Sequence, residues 1–104
     1  LDQAKLAELF KWTQEQFLSR TEGSPIRRAG FEGWQRNLAI GLGNGPPTEN
    51  IIKALNDQQP LASPMVKEHI DWALKQLQQR QKQLILLTPV PLRTHLAKKL
   101  KHLT

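Results

Sequence analysis

Three histidines, nine carboxylates and no cysteine bound the chemistry open to this chain of 104 residues. Without a thiol it can form no disulfide, hold no thiolate metal centre or iron–sulfur cluster, and offer no cysteine nucleophile. His95 and His102 share a helix face, being two helical turns apart. A metal site needs three or four converging ligands, and no carboxylate lies near that pair. His69 stands alone, so no metal is expected. Ser24 and Ser63 each precede proline, the pattern of helix N-caps and not of nucleophiles. Glu22, Glu32, Asp57, Glu68 and Asp71 fall on polar helix faces with nothing to set an acid against a base. Gly41, Gly43 and Gly45 lie after a helical stretch and before Pro46-Pro47. A dinucleotide-binding loop needs a strand before it and a helix after it, so these glycines read as a helix stop. The residues point to a binding domain with no catalytic centre and no cofactor of its own.

The cations carry the one positive signal. Residues 1–60 hold seven basic and seven acidic residues, whereas residues 61–104 hold eight basic residues against only Glu68 and Asp71. From residue 75 on, Lys75, Arg80, Lys82, Arg93, Lys98, Lys99 and Lys101 meet no acidic residue. That asymmetry suits a polyanionic partner, either nucleic acid or a membrane surface. Arg27-Arg28 stands beside a helix start, where backbone amides also favour phosphate, and Arg36 follows about two turns later. The nucleic-acid-binding candidates are Arg27, Arg28, Arg36, Lys67, Lys75, Lys98, Lys99 and Lys101. Each also has a plainer reading as a solvated helix cation, and Arg27 or Arg28 as the partner of Glu22 or Glu32. Trp12, Trp34 and Trp72 fall in apolar helical patterns and are expected to anchor the core, with stacking on a splayed base as the alternative use.

These side chains must be positioned by helices, because β-branched residues never alternate over a useful length. A first helix is expected from about Asp2 to Trp12, and a second from Thr13, with Gln16 at capping-box spacing and Phe17 and Leu18 on its buried side. Gly23 ends it. Ser24-Pro25 starts the next segment, which Gly30 and Gly33 divide into two short helices or weaken as one. Phe31, Trp34, Leu38 and Leu42 form a helix face that stops at the glycine-proline run. Thr48 caps a short helix through Leu55, and a loop at 58–62 follows. Ser63-Pro64 starts a helix through Val66, Ile70, Ala73, Leu74 and Leu77, running to Leu84 or beyond. Thr88-Pro89 starts a last helix with Leu92, Leu96, Leu100 and Leu103 on one face.

Two of these helices share a pattern. Trp34, Leu38, Gly41 and Leu42 align with Val66, Ile70, Ala73 and Leu74, each set preceded by a shorter helix, the arrangement of helical repeats. An alternative register aligns the two Ser-Pro starts. The fold class is therefore all-α, an array of about two helix pairs with flanking helices. Residues 1–87 form the repeat domain, and residues 88–104 a basic amphipathic helix packed on it. No apolar run approaches the ~20 residues of a membrane span. Without a signal peptide the expected location is the cytoplasm. The start on a helical pattern at Leu1 suggests a piece of a longer protein.

From Thr21 to Asn44 the order is Thr-Glu-Gly, Ser24, Ile26-Arg27-Arg28, Trp34, Arg36-Asn37 and Leu42-Gly43-Asn44. This order resembles the C-terminal domain of epoxyqueuosine reductases. Val66-Lys67-Glu68-His69-Ile70-Asp71-Trp72-Ala73-Leu74 is similar to a second helix of that domain. The resemblance spans residues 5–78 and leaves 79–104 unplaced; Gly33, Gln35 and Gly41 depart from the family's commoner apolar or Ala choices. It implies a HEAT-like pair of repeats that helps hold the tRNA anticodon arm. The longer enzyme would reduce epoxyqueuosine to queuosine with a cobalamin and two four-iron four-sulfur clusters held by cysteines elsewhere. The implied partners are tRNA and the enzyme's N-terminal catalytic domain, with the chain monomeric. A protein-interaction module and a membrane-surface tail at 92–103 are the other readings.

Overall fold

A computed structural model describes residues 2–87, the side chains of Arg28 and Ala29 excepted. The element order is α1 (Gln3–Phe10), α2 (Gln14–Arg20), a 3-10 helix (Pro25–Ala29), α3 (Gly30–Gly43), α4 (Glu49–Gln58), a second 3-10 helix (Gln59–Leu61) and α5 (Pro64–Leu87). No strand occurs among the described residues, so the chain is all-α. The expected helix at 88–104 lies outside them.

Local chemistry sets most boundaries. Asp2 accepts from the Lys5 amide at 2.8 Å and opens α1. Thr13 and Gln16 form the reciprocal capping box of α2, with bonds of 3.0 and 3.2 Å that satisfy two amides no helical carbonyl can reach. Gly23 (φ +75) turns the chain after α2, and Gly30 (φ +76) separates the 3-10 helix from α3. Both lie where an L side chain is strained. Thr48 caps α4, and Ser63 caps α5 through the Val66 amide.

The longest helices, α3 and α5, pack most extensively, and α1 lies against both α3 and α4. One core unites Ala7 and Phe10, Leu38 and Leu42, Ile51 and Leu55, and Val66, Ile70, Ala73 and Leu77. Each large side chain buried there contributes about 1.5–3 kcal/mol by removal from water. Gly30, Phe31 and Gln35 line one hollow with Leu61 and Ser63 at the starts of α3 and α5. At the other end Gly43 meets Trp72 and Ala73. The two helices therefore run in the same direction.

The helix beside α4 is α1, whereas α2 caps the first half of α3 with aromatic rings. Phe17 lies 5.4 Å from Trp34 and 5.7 Å from Phe31 between ring centroids, and Trp12 stacks on Trp34 at 5.7 Å. Arg20 covers the Trp12 ring at 4.8 Å, a cation–π contact. Two side chains expected inside are not. Leu18 and Trp72 are each 38% exposed. Leu18 follows Phe17 directly, and adjacent helical positions point about 100° apart, so a short helix that buries Phe17 exposes Leu18. Trp72 sits at the edge of the α3–α5 seam, whose centre is filled by Ile70 and Ala73.

Candidate nucleic-acid interface

The described cations are spread over three surfaces. Arg27 is exposed on the 3-10 helix that leads into α3. Arg36 is half-buried on α3, where its Nε donates to Asn37 Oδ1 at 3.3 Å. Lys67 and Lys75 lie on α5, half-buried and exposed respectively. Along a helix of 100° per residue, Lys67 falls on the Leu74 side of α5 and Lys75 beside Trp72. Arg36 and Lys75 therefore flank the α3–α5 seam, and Lys67 lies apart from them. The structure does not gather the four described candidates, Arg27, Arg36, Lys67 and Lys75, into one patch. Arg28 has no described side chain, and Lys98, Lys99 and Lys101 lie outside the described residues.

Neutralisation by carboxylates is sparse. Among the described residues the one ion pair is Lys53–Asp57, at 2.7 Å on the surface of α4. Arg27 is thus not tied to Glu22 or Glu32, and Arg27, Arg36, Lys67 and Lys75 form no ion pair among the described residues.

Arg80 behaves differently from the other described basic residues of the C-terminal half. Its guanidinium donates to the carbonyl of Gly43 and, at 3.0 Å, to that of Gly45. The Gly43 carbonyl ends α3, where the helix dipole is negative, and the Gly45 carbonyl lies two residues beyond it. Arg80 is a helix clamp, and the sequence offers no short-range signal for it because its partners lie 37 and 35 residues away.

The glycines have a second role that their place before Pro46-Pro47 concealed. A β-carbon on Gly43 would stand 2.7 Å from Trp72 Cζ3 and 2.8 Å from the Ala73 Cα. Gly43 stops α3 and also lets α5 approach its backbone. The seam opens there into a surface groove of about 450 Å³ lined by Ile40, Glu68, His69 and Trp72. His69 Nδ1 lies 2.9 Å from the Met65 carbonyl. A carbonyl only accepts, so Nδ1 carries the proton and the ring is held by its own helix.

Comparison with known proteins gives a consistent result. Residues making up 72% of this chain are 57% identical to a segment of epoxyqueuosine reductase from Pseudomonas aeruginosa. The chain is related to part of the epoxyqueuosine reductases. A second, from Xanthomonas campestris, is 53% identical over 73% of the chain. That of Escherichia coli is 42% identical over 90% of it. So wide a match must include part of residues 79–104, where the motif resemblance had stopped. The chain spans 21–24% of the length of these epoxyqueuosine reductases. No family model and no solved structure matches it.

The iron–sulfur clusters implied by the resemblance do not fit this stretch. It has no cysteine, and no three histidines or carboxylates converge among the described residues. No helix among them is long and apolar enough to cross a membrane.

Proposed function

We propose that this chain is the tRNA-docking domain of an epoxyqueuosine reductase, a HEAT-like helical array that helps hold the anticodon arm while the rest of the longer protein performs the reduction in queuosine biosynthesis. The observation that carries this reading is the 57% identity over 75 residues to an epoxyqueuosine reductase, in a stretch without a thiol. The parallel course of α3 and α5 is what two stacked repeats require. Arg27, Arg28, Arg36, Lys67 and Lys75 supply phosphate contacts, joined by Lys98, Lys99 and Lys101 of the basic C-terminal segment. Such scattered cations suffice because structured RNA is held through shape and phosphate. The chain contributes no catalytic group. Cobalamin and the iron–sulfur clusters belong to the remainder of a cytoplasmic, monomeric enzyme.

The test is titration of this chain with a fluorescent anticodon stem–loop at two salt concentrations. Binding that weakens steeply with salt supports the reading, and no binding at low salt rejects it.

A second reading, a protein-docking module, is favoured by one observation. Leu84 and Leu87 are 51% and 83% exposed at the end of α5. Leu84 continues the face of Val66, Ala73 and Leu77 beyond the end of α3, so core-type surface projects past the described bundle. Retention of this chain by the remainder of the enzyme, lost on L84Q/L87Q, would support that role.

A further inference from the structure

The groove beside Trp72 has a composition that phosphate binding alone does not require. Trp72 is a large ring left 38% exposed, yet it is not loose. Its Cζ3 edge rests where Gly43 has no side chain, so α3 seats the indole. Ile40 supplies the apolar wall opposite, and Glu68 and His69 form the polar rim in the same groove. With Nδ1 committed to the Met65 carbonyl, Nε2 is the ring nitrogen of His69 left for a ligand. The Glu68 carboxylate only accepts, through two oxygens. The rim thus offers the paired acceptor oxygens of Glu68, with His69 next along the helix, beside an indole able to stack.

An unpaired nucleotide matches each part of this surface. Nucleobases splayed from RNA loops stack on aromatic rings and are recognised along their Watson–Crick edges. Adjacent acceptors call for adjacent N–H donors, which guanine presents at N1 and N2. The phosphates on either side of such a base need cations away from Glu68. Arg36 lies one turn before Ile40 on α3, and Lys75 lies three residues after Trp72 on α5, so each wall carries one. We propose that the α3–α5 groove binds a single unpaired guanine nucleotide of the RNA, stacked on Trp72, with its Watson–Crick edge on Glu68 and His69 and its flanking phosphates on Arg36 and Lys75. This inference rests on the RNA-docking reading and names the part of the RNA that is gripped.

The test compares an RNA hairpin bearing an unpaired guanine in its loop, the same hairpin with uracil there, and a blunt duplex of the same stem. Trp72→Ala is expected to weaken binding of the guanine hairpin by about 5- to 100-fold, the usual loss of one base–aromatic stack, and to leave the duplex unchanged. Trp72→Phe should recover most of that loss. Glu68→Gln should remove the preference for guanine over uracil. Addition of guanosine monophosphate should shift the Trp72 indole N–H resonance, a readout that needs no variant and stands if Trp72→Ala fails to fold. Unchanged hairpin affinity in folded Trp72→Ala and Trp72→Phe, or an indole resonance unmoved by the mononucleotide, overturns the nucleotide pocket and leaves the groove to a protein surface. If the wild-type chain binds the duplex but not the hairpin better, the pocket is wrong while RNA docking survives. If it binds neither, both readings fall.

Discussion

The guanidinium of Arg80 closes the C-terminus of a helix that ends 37 residues earlier, by donating to the main-chain carbonyl of Gly43. A second bond from the same guanidinium nitrogen, to the Gly45 carbonyl, ties the turn that follows α3 to its end. The charge opposes the negative end of the helix dipole, and the half-buried setting limits competition from water. Arg80→Gln should therefore destabilise the domain by about 1–3 kcal/mol, the range for charge-assisted bonds whose acceptors are left without a partner. Urea unfolding followed by circular dichroism measures this. RNA affinity per folded molecule should not change, which separates Arg80 from the cations proposed to meet phosphate.

Gly43 and Gly41 should respond in opposite ways to alanine. At Gly43 the new methyl meets the Ala73 backbone at 2.8 Å, so α5 must shift, at a cost of about 1–3 kcal/mol for overpacking a close seam. At Gly41 it meets only the Leu6 Cδ1 at 3.3 Å, the far end of a side chain that can turn. Helix propensity then favours the change, and Gly41→Ala should be neutral or stabilising by up to about 1 kcal/mol. Melting temperatures of the two variants decide it, and a destabilised Gly41→Ala would show that α1 is held rigidly against α3.

These two glycines show which features were legible in the sequence. Signals confined to a few neighbouring residues could be read directly: the Thr13–Gln16 capping box, the Ser24 and Ser63 starts, the Thr48 cap and the apolar stripe from Val66 to Leu77 all recur in the structure. Relations between helices could not be read this way. Gly43 looked like a helix stop because its contact with Ala73 is invisible along the chain. Arg80 looked like one more tail cation because its acceptors are distant backbone atoms. Trp72 shares its helix with core residues but projects about 100° away from Ala73, enough to move it from the seam to the groove. The candidate cations were legible as residue types, whereas their distribution over separate faces depended on which flank of α5 meets α3.

Arg27 and Arg28 provide a test of phosphate contact with little structural interference at the first position, since Arg27 is exposed and forms no ion pair. Changing both to Ala should leave the melting temperature close to that of the parent and weaken binding of an anticodon stem–loop by about 1–3 kcal/mol. Fluorescence anisotropy measures the affinity, and circular dichroism checks the fold. Full affinity in the folded double variant would remove this pair from the interface.

The basic segment at the C-terminus can be tested through its charge alone. Lys98, Lys99 and Lys101 changed together to Gln retain good helix formers and leave Leu92, Leu96, Leu100 and Leu103 in place. Each phosphate neutralised by a lysine releases condensed counterions, so its loss makes log affinity depend less on log salt. If all three lysines meet phosphate, the slope should become shallower by about 2–3, at roughly 0.7–0.9 per contact. Deletion of residues 88–104 would remove Arg93 as well, but would also remove the leucines and risk the fold. The charge-only variant avoids that ambiguity, because any change in slope at constant helicity arises from electrostatics. A slope equal to that of the parent chain would assign these lysines to a solvated face and leave Arg27, Arg28, Arg36, Lys67 and Lys75 as the remaining candidates for phosphate.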